Sequence, residues 1–277
     1  MKFCHNSKVG QQAFKMLALC FVMLISFGCA GPEKTPERDD VLEDIRNTTL
    51  IPNLGSYDED VQKRAFDRIL ISLRKAPQIT RNLLAAELDD PFISSRTKRV
   101  ICMILAGEGD ERALPRLVSM LAEGNTVDDN LIEEALLEYG SDAVEPVKTV
   151  LMEGNVTARR SAASILLTMK VPVAFDALQD RFTIERDPEV RFLCICGFAE
   201  DPRRESLEIL ARALDDADEV IRGAAWESLK RRAKVPGDLR FDPMGTPGLR
   251  QAQASAIRSW LTGKPGGSSG TTTGEAL

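Results

Sequence analysis

The chain has 277 residues, room for one large domain or an array of repeats. Its apolar content of 43% supplies a sizeable core and argues against global disorder. An aromatic content of only 5%, with Ala and Leu carrying most of the apolar mass, favours close-packed helices over a β-sandwich. The net charge is -6, and the first 28 residues hold Lys2, Lys8 and Lys15 but no acid, so the remainder sets 33 basic against 42 acidic side chains. Such a chain has no bulk attraction for DNA or RNA, whose binding rests on cations that neutralise phosphates, and no nucleic-acid partner is expected.

Three lysines precede the uncharged run Met16 to Phe27, MLALCFVMLISF. As a helix, twelve residues span about 18 Å, short of the ~30 Å hydrocarbon core of a bilayer. The run therefore reads as the h-region of an export signal rather than a membrane span. Gly28 and Cys29 follow it directly, and a small residue before a cysteine at the end of an h-region resembles the lipobox of bacterial lipoproteins. Ser26 and Phe27 fill the slots where that pattern has a branched aliphatic and a small residue. The resemblance implies cleavage before Cys29 and lipid attachment to it; an export signal left uncleaved or cut elsewhere is the other reading. Several acyl chains anchor a protein firmly, since each buried methylene contributes about 0.8 kcal/mol. Residues 1–28 are thus expected to be a lipoprotein-type signal, and 29–55 a tether and lead-in that begins with the Pro-rich, charged Ala30 to Asp40.

From about Ser56 the chain repeats itself. A basic residue is followed two and three places on by small or apolar residues, and seven places on by another apolar residue or once by Gly, in KRAFDRIL from Lys63, KRVICMIL from Lys98, EEALLEYG from Glu133, RSAASILL from Arg160, RFLCICGF from Arg191 and RGAAWESL from Arg222. Those offsets share one face of a 3.6-period helix, so each segment predicts the first helix of a pair. The third departs, with Glu133 in the basic slot and Gly140 at the seventh step, and is expected to pack less regularly or to bend the array.

Second amphipathic helices are predicted over PQITRNLLAAEL, ERALPRLVSMLAEG, DAVEPVKTVLMEG, PVAFDALQDRF and RESLEILARALDD. Pro115 and Pro146 recur about one turn into theirs, where a missing N–H costs little because first-turn donors have no intrahelical acceptor. The linkers carry turn and cap chemistry at Gly107 to Asp110, Gly154-Asn155, Asp187-Pro188 and Asp215 to Asp218.

A period of roughly 30 residues, two helices per unit and the DPEVR wording at Asp187 to Arg191 resemble the HEAT-like repeats related to those of phycobilisome lyases. The resemblance covers about residues 56 to 231 and implies an all-α, right-handed α-solenoid of about six two-helix repeats. After the sixth first helix, the turn Phe241-Asp242-Pro243 leads to a last helix over Leu249 to Leu261, which resembles the C-terminal cap of planctomycete-type HEAT lipoproteins. Ala252, Ala256, Ile257 and Trp260 are expected to cover the open end of the stack, as any solenoid requires. The repeat domain is placed at 56–262 and a flexible tail at 263–277, GKPGGSSGTTTGEAL after Thr262.

Little in the sequence points to catalysis. The single histidine, His5, lies in the leader, so the rest of the chain has no imidazole for a triad, a proton shuttle or a typical zinc site. No Walker sequence, GxSxG or calcium loop is present. Cys4 and Cys20 belong to the leader; Cys194 and Cys196 would point about 200° apart on a helix and, with Cys102, read as small core residues. The acidic pairs Asp89-Asp90, Asp128-Asp129 and Asp215-Asp216 are read as caps between helices. Lys63, Lys98, Arg160, Arg191 and Arg222 form a ladder that either pairs with acids of the preceding loop, with Asp187 and Asp218 four residues before Arg191 and Arg222, or lines a groove for an anionic ligand. Trp226, after Ala224-Ala225, is either buried against a neighbouring helix or exposed.

The expected function is a non-catalytic protein-binding scaffold without cofactor or metal, exported and lipid-anchored through Cys29 at the cell envelope, facing the periplasm or exterior. Its partners would be a protein, engaged over the second helices, and the membrane through the N-terminal lipid. The alternative, implied only by the resemblance to lyase repeats, is a lyase-like or chaperone factor acting on a cofactor-bearing protein.

Overall fold

The computed structural model describes Glu43, Ile45 and residues 49–124 and 129–263. Among these residues the protein is all-α, with thirteen α-helices and no strand. A short α1, Leu50–Asn53, precedes α2, Glu59–Lys75, and α3, Pro77–Glu87. Next come α4, Ser95–Gly107; α5, Leu114–Glu123; α6, Asp129–Glu138; α7, Val144–Glu153; α8, Val156–Met169; and α9, Pro172–Ile184. The chain continues with α10, Pro188–Glu200; α11, Arg204–Ala213; α12, Glu219–Ala233; and α13, Pro247–Thr262. The six predicted first-helix segments fall in α2, α4, α6, α8, α10 and α12, the third running two residues past the end of its helix, and the predicted second helices in α3, α5, α7, α9 and α11. No helix of the described residues is long and apolar enough to cross a membrane. The leader, Cys29 and the tail beyond Gly263 lie outside the described residues.

The helix starts are fixed by side chains that accept the otherwise unpaired first-turn N–H groups. Asp58 accepts from the backbone N–H of Asp60 and Val61, Ser94 from Thr97, Asn155 from Ala158, Asp187 from Val190, Asp218 from Val220 and Thr246 from Leu249. Pro77, Pro172, Pro188 and Pro247 open their helices with the φ that a first turn needs. Pro115 and Pro146 enter just behind short 3₁₀ turns, Glu111–Ala113 and Gly140–Ala143, which lead into α5 and α7. Gly140, at the seventh step of the irregular segment, is therefore beyond the end of α6, at φ +53.

Packing follows chain order. Each helix from α2 to α5 lies against the next, as does each from α7 to α11, and alternate helices touch as well: α4 on α6, α6 on α8, α8 on α10, α10 on α12, and α5 on α7, α7 on α9, α11 on α13. One continuous core runs from Ile45 and Leu50 to Ala254 and Ile257. Ala158, Ala162, Ala163, Ala174 and Ala177 are fully buried, which lets α8 and α9 approach their neighbours closely. That explains how the chain fills a core with so few rings.

Two open points of the sequence are settled by packing. Trp226 is buried, its ring tilted against that of Phe241 at 6.1 Å, so the FDP turn folds back to cover it. On α13 the buried face is Ala254 and Ile257, with Leu261 packed beside them, while Ala252 and Ala256 are exposed and Trp260 is only partly covered. The expected cap residues are thus corrected except for Ile257. Alanines at 252, 254 and 256 leave two candidate faces, and the approach of α11 selects between them.

Gly124 ends α5 at φ +65 and sits under the following helix start; a Cβ there would meet Asn155 Oδ1 at 2.6 Å and the backbone N of Ala158 at 3.1 Å. Gly124→Ala is therefore expected to destabilise the protein by about 2 kcal/mol, combining left-handed strain with a displaced cap, as measured by urea unfolding. A neutral outcome would mean that α5 ends differently.

Candidate functional site

Among the described residues, no group of three or more His, Cys, Asp and Glu side chains could hold a metal ion. Cys102 and Cys194 are buried in α4 and α10, and burial pushes each thiol up to about 12, so neither is a thiolate near neutral pH. Both are expected to react with a thiol reagent only after denaturation; rapid modification of either in the native protein, seen by peptide mapping, would contradict the packing. The lipid-bearing candidate, Cys29, lies outside the described residues.

The most ordered polar chemistry lies along the turns that lead into α8, α10, α12 and α13. Glu185, between α9 and α10, is almost wholly buried. Arg159 donates to it through Nε at 2.9 Å and Nη2 at 3.1 Å, and Arg181 through Nε at 2.6 Å. The backbone N–H groups of Arg186 and Asp187 donate to its other oxygen at 2.7 and 2.8 Å. Burial alone would raise this carboxyl, but the hydrogen bonds from Arg181, Arg159 and the two amides outweigh it and hold the carboxyl at about 2. Arg159 also donates to the Gly154 carbonyl and Arg181 to that of Met152, so one carboxylate ties α8, α9 and two successive turns together.

Of the ladder cations, Arg160 and Arg191 pair with acids further along the chain rather than with those of the preceding loop. Arg160 forks onto Asp187 at 3.0 and 2.7 Å and also reaches Glu189 at 2.8 Å. Arg191 pairs with Asp216 and donates to the carbonyls of Phe182 and Glu185. Arg222 donates to the carbonyls of Asp216, Ala217 and Pro243 at 2.8 Å each. The expected partners four residues earlier, Asp187 for Arg191 and Asp218 for Arg222, are instead occupied as caps. A guanidinium one turn into a helix reaches both the carbonyls ahead of its own helix start and the acids of the next turn of the stack, and for Arg160 the bidentate fork on Asp187 favours the latter. The acidic pairs are corrected in the same way. Asp89 pairs with Arg116, Asp215 with Arg258 at 2.6 Å and Asp216 with Arg191, while Asp90 accepts from the N–H of Phe92; none caps a helix. Asp128 and the side chain of Asp129 lie outside the description.

A second buried acid went unforeseen. Asp201, after α10, has no exposed surface; Arg203 donates to both its oxygens at 3.0 Å and Ser206 donates its hydroxyl. Burial pushes its carboxyl up, and the hydrogen bonds from Arg203 and Ser206 pull it below the ordinary range. Arg203 continues to Asp176 on α9 at 2.8 Å. Glu134 on α6 behaves oppositely: burial raises its carboxyl, Glu133 and Glu138 add to that, and its Oε2 has no hydrogen-bond partner among the described residues.

Glu185 and Asp201 are committed to guanidinium partners and stay ionised well below neutrality, so neither trades protons at physiological pH. Their role in this arrangement is to lock successive turns. The second helices carry ion pairs of their own, with Lys148 on Asp180 at 2.8 Å between α7 and α9 and Arg204 beside Glu208 on α11. An open, polar depression of about 300 Å³ is lined by Asp215, Pro247, Arg250, Gln251 and Arg258. No protein-family model matches this chain, and no curated protein matches it either. Its class therefore rests on the helices and their packing: an all-α protein whose helices stack in chain order.

Proposed function

We propose that this chain is a HEAT-like α-solenoid acting as a non-catalytic protein-binding scaffold, exported and held at the cell envelope by lipid on Cys29. The observation that carries the reading is the packing order. Helices that touch only near neighbours in the chain, around one continuous core, build an elongated body with a long outer surface, the usual arrangement of repeat proteins that hold other proteins. The period of the first-helix segments supports about six two-helix repeats, and the leader ending at Cys29 supports export and anchoring.

Crosslinked affinity purification of the full chain from native membranes, compared with Cys29→Ala, tests the reading. A discrete protein recovered with the wild type and lost with the variant is the expected result. Equal solubility of both forms would overturn the anchor. An absorbing chromophore or turnover in the purified protein would overturn the scaffold in favour of a lyase-like activity.

A further inference from the structure

Nine large apolar side chains are exposed among the described residues: Tyr57, Ile71, Phe92, Val156, Val173, Ile184, Val220, Met244 and Leu249. Their distribution is uneven. Only Ile71 and Val173 lie elsewhere; the other seven belong to the turns that lead into α2, α4, α8, α10, α12 and α13, to the first helical residues after them or, for Ile184, to the last helical residue before one. Tyr57, 87% exposed, directly precedes the cap Asp58, where an apolar residue ordinarily folds back onto the helix as a staple; Phe92, 94% exposed, and Met244, 78%, are equally uncovered. These turns form one edge of the stack. Arg159 joins the turn at Gly154 to that at Glu185, Arg191 joins Glu185 to Asp216, and Arg222 joins Asp216 to Pro243.

The edge is also acidic. Residues 56–60, 88–94, 153–157, 184–190, 214–220 and 242–249 hold fourteen acids and one base, Arg186. Cations reaching in from the helices pair with Asp89, Glu185, Asp187, Glu189, Asp215 and Asp216. Eight others, Asp58, Glu59, Asp60, Asp90, Glu153, Asp218, Glu219 and Asp242, form no ion pair among the described residues. Uncovered apolar groups set among unneutralised carboxylates repel an anionic lipid surface or a nucleic acid and complement a cationic, partly apolar one.

We propose that this edge, from Val156 to Leu249, docks a cationic amphipathic helix of another protein. The inference rests on the scaffold reading and names its surface and the chemistry of its partner. Packed helices lie 8–10 Å apart, so the apolar groups of successive turns recur at about 10 Å. A helix presents the same face every seven residues, about 10.5 Å along its axis, and the four turns from Val156 to Met244 span about 30 Å, the length of a 20-residue helix. Ile184, Val220 and Met244 seat its apolar stripe; Glu153, Glu219 and Asp242 face its flanking lysines or arginines.

The test uses the full chain and a synthetic 21-residue helix with leucines on one heptad stripe and lysines beside it, together with a counterpart carrying glutamates for lysines. Binding by fluorescence anisotropy is expected for the lysine peptide alone, weakening steeply with salt. Ile184→Ser/Val220→Ser/Met244→Ser is expected to lose at least tenfold in affinity, and Ile71→Ser/Val173→Ser to lose none, with circular dichroism confirming that both remain folded. Equal binding of both peptides, or an unaffected triple variant, would overturn the proposal. A photo-crosslinker at Val220 or Val173, used in native membranes, separates it from the reading beneath. A partner caught from Val173 on the second helix alone keeps the scaffold and overturns the edge. No partner from either position overturns both. A dye on Met244→Cys that is quenched by brominated lipid in reconstituted vesicles would hand the edge to the bilayer and overturn the docked helix.

Discussion

Phe198→Ala is expected to destabilise the protein by about 4 kcal/mol, the largest effect of any single core truncation. Phe198 is the largest side chain among those without exposed surface, and it stands on α10, which touches α8, α9, α11 and α12. Its ring meets Phe182 of α9 edge-on at 5.5 Å, while Gly197 beside it admits Leu178 so closely that a Cβ would lie 2.5 Å from Leu178 Cδ1. Interlocking of this kind leaves little freedom to collapse into the void, so the transfer loss and the cavity cost add. Because helices touch only near neighbours in chain order, the damage is expected to be regional. Hydrogen exchange in α9, α10 and α12 should rise well before that in α2 and α3, alongside a lower urea midpoint. A uniform rise over the whole chain would show a single cooperative unit, and a loss below about 1 kcal/mol would show that the ring is not enclosed as described.

The helices were legible because their signals are local. Apolar residues at helical spacing, caps such as Asn155 and Asp187, and the prolines at helix starts each act within a turn of their own position, and the chain folds as those signals direct. The partners of the ladder cations were not legible for the complementary reason. Arg160 and Asp187 stand 27 residues apart, and only the stacking of alternate helices brings them together; counting along a single helix pointed instead to residues four places away. The cap on α13 failed in a third way, since three alternating alanines fit two faces and only the neighbour decides.

The exposed edge left the faintest trace in the sequence. Tyr57 stands two residues before α2, Phe92 three before α4, Val220 one inside α12 and Met244 three before α13, so no single offset holds for all of them. What they share is a place in space, and it shows only once the turns are stacked. The expectation that second-helix faces carry the partner looked to the surface that is most regular in sequence. In the structure part of that surface carries ion pairs of its own, such as Lys148 on Asp180 and Arg203 on Asp176, and most of the exposed large apolar groups lie at the turns.

Glu185→Gln separates the role of charge from that of shape. The amide nearly preserves volume but ends the ionic component of the contacts with Arg159 and Arg181, leaving two guanidinium groups with one neutral acceptor between them. Breaking a buried pair from one side costs about 3 kcal/mol, and that loss is expected at neutral pH. The pH dependence fixes the cause. The carboxyl titrates at about 2 in the folded protein against an ordinary 4.5, so its stabilisation is complete above about 4.5 and is lost as pH falls towards 2. A shift of that size corresponds to about 3 kcal/mol, the same magnitude as the neutral-pH loss. Urea midpoints of wild type and variant should therefore differ most at pH 7 and converge as the pH drops to 3 and below. Asp201, also held low and not coupled to Glu185, makes both proteins less stable in acid and so cancels in the difference. Parallel curves, with a constant gap at every pH, would mean that the variant suffers from a misplaced amide and that the buried carboxylate does not hold the turns together by its charge.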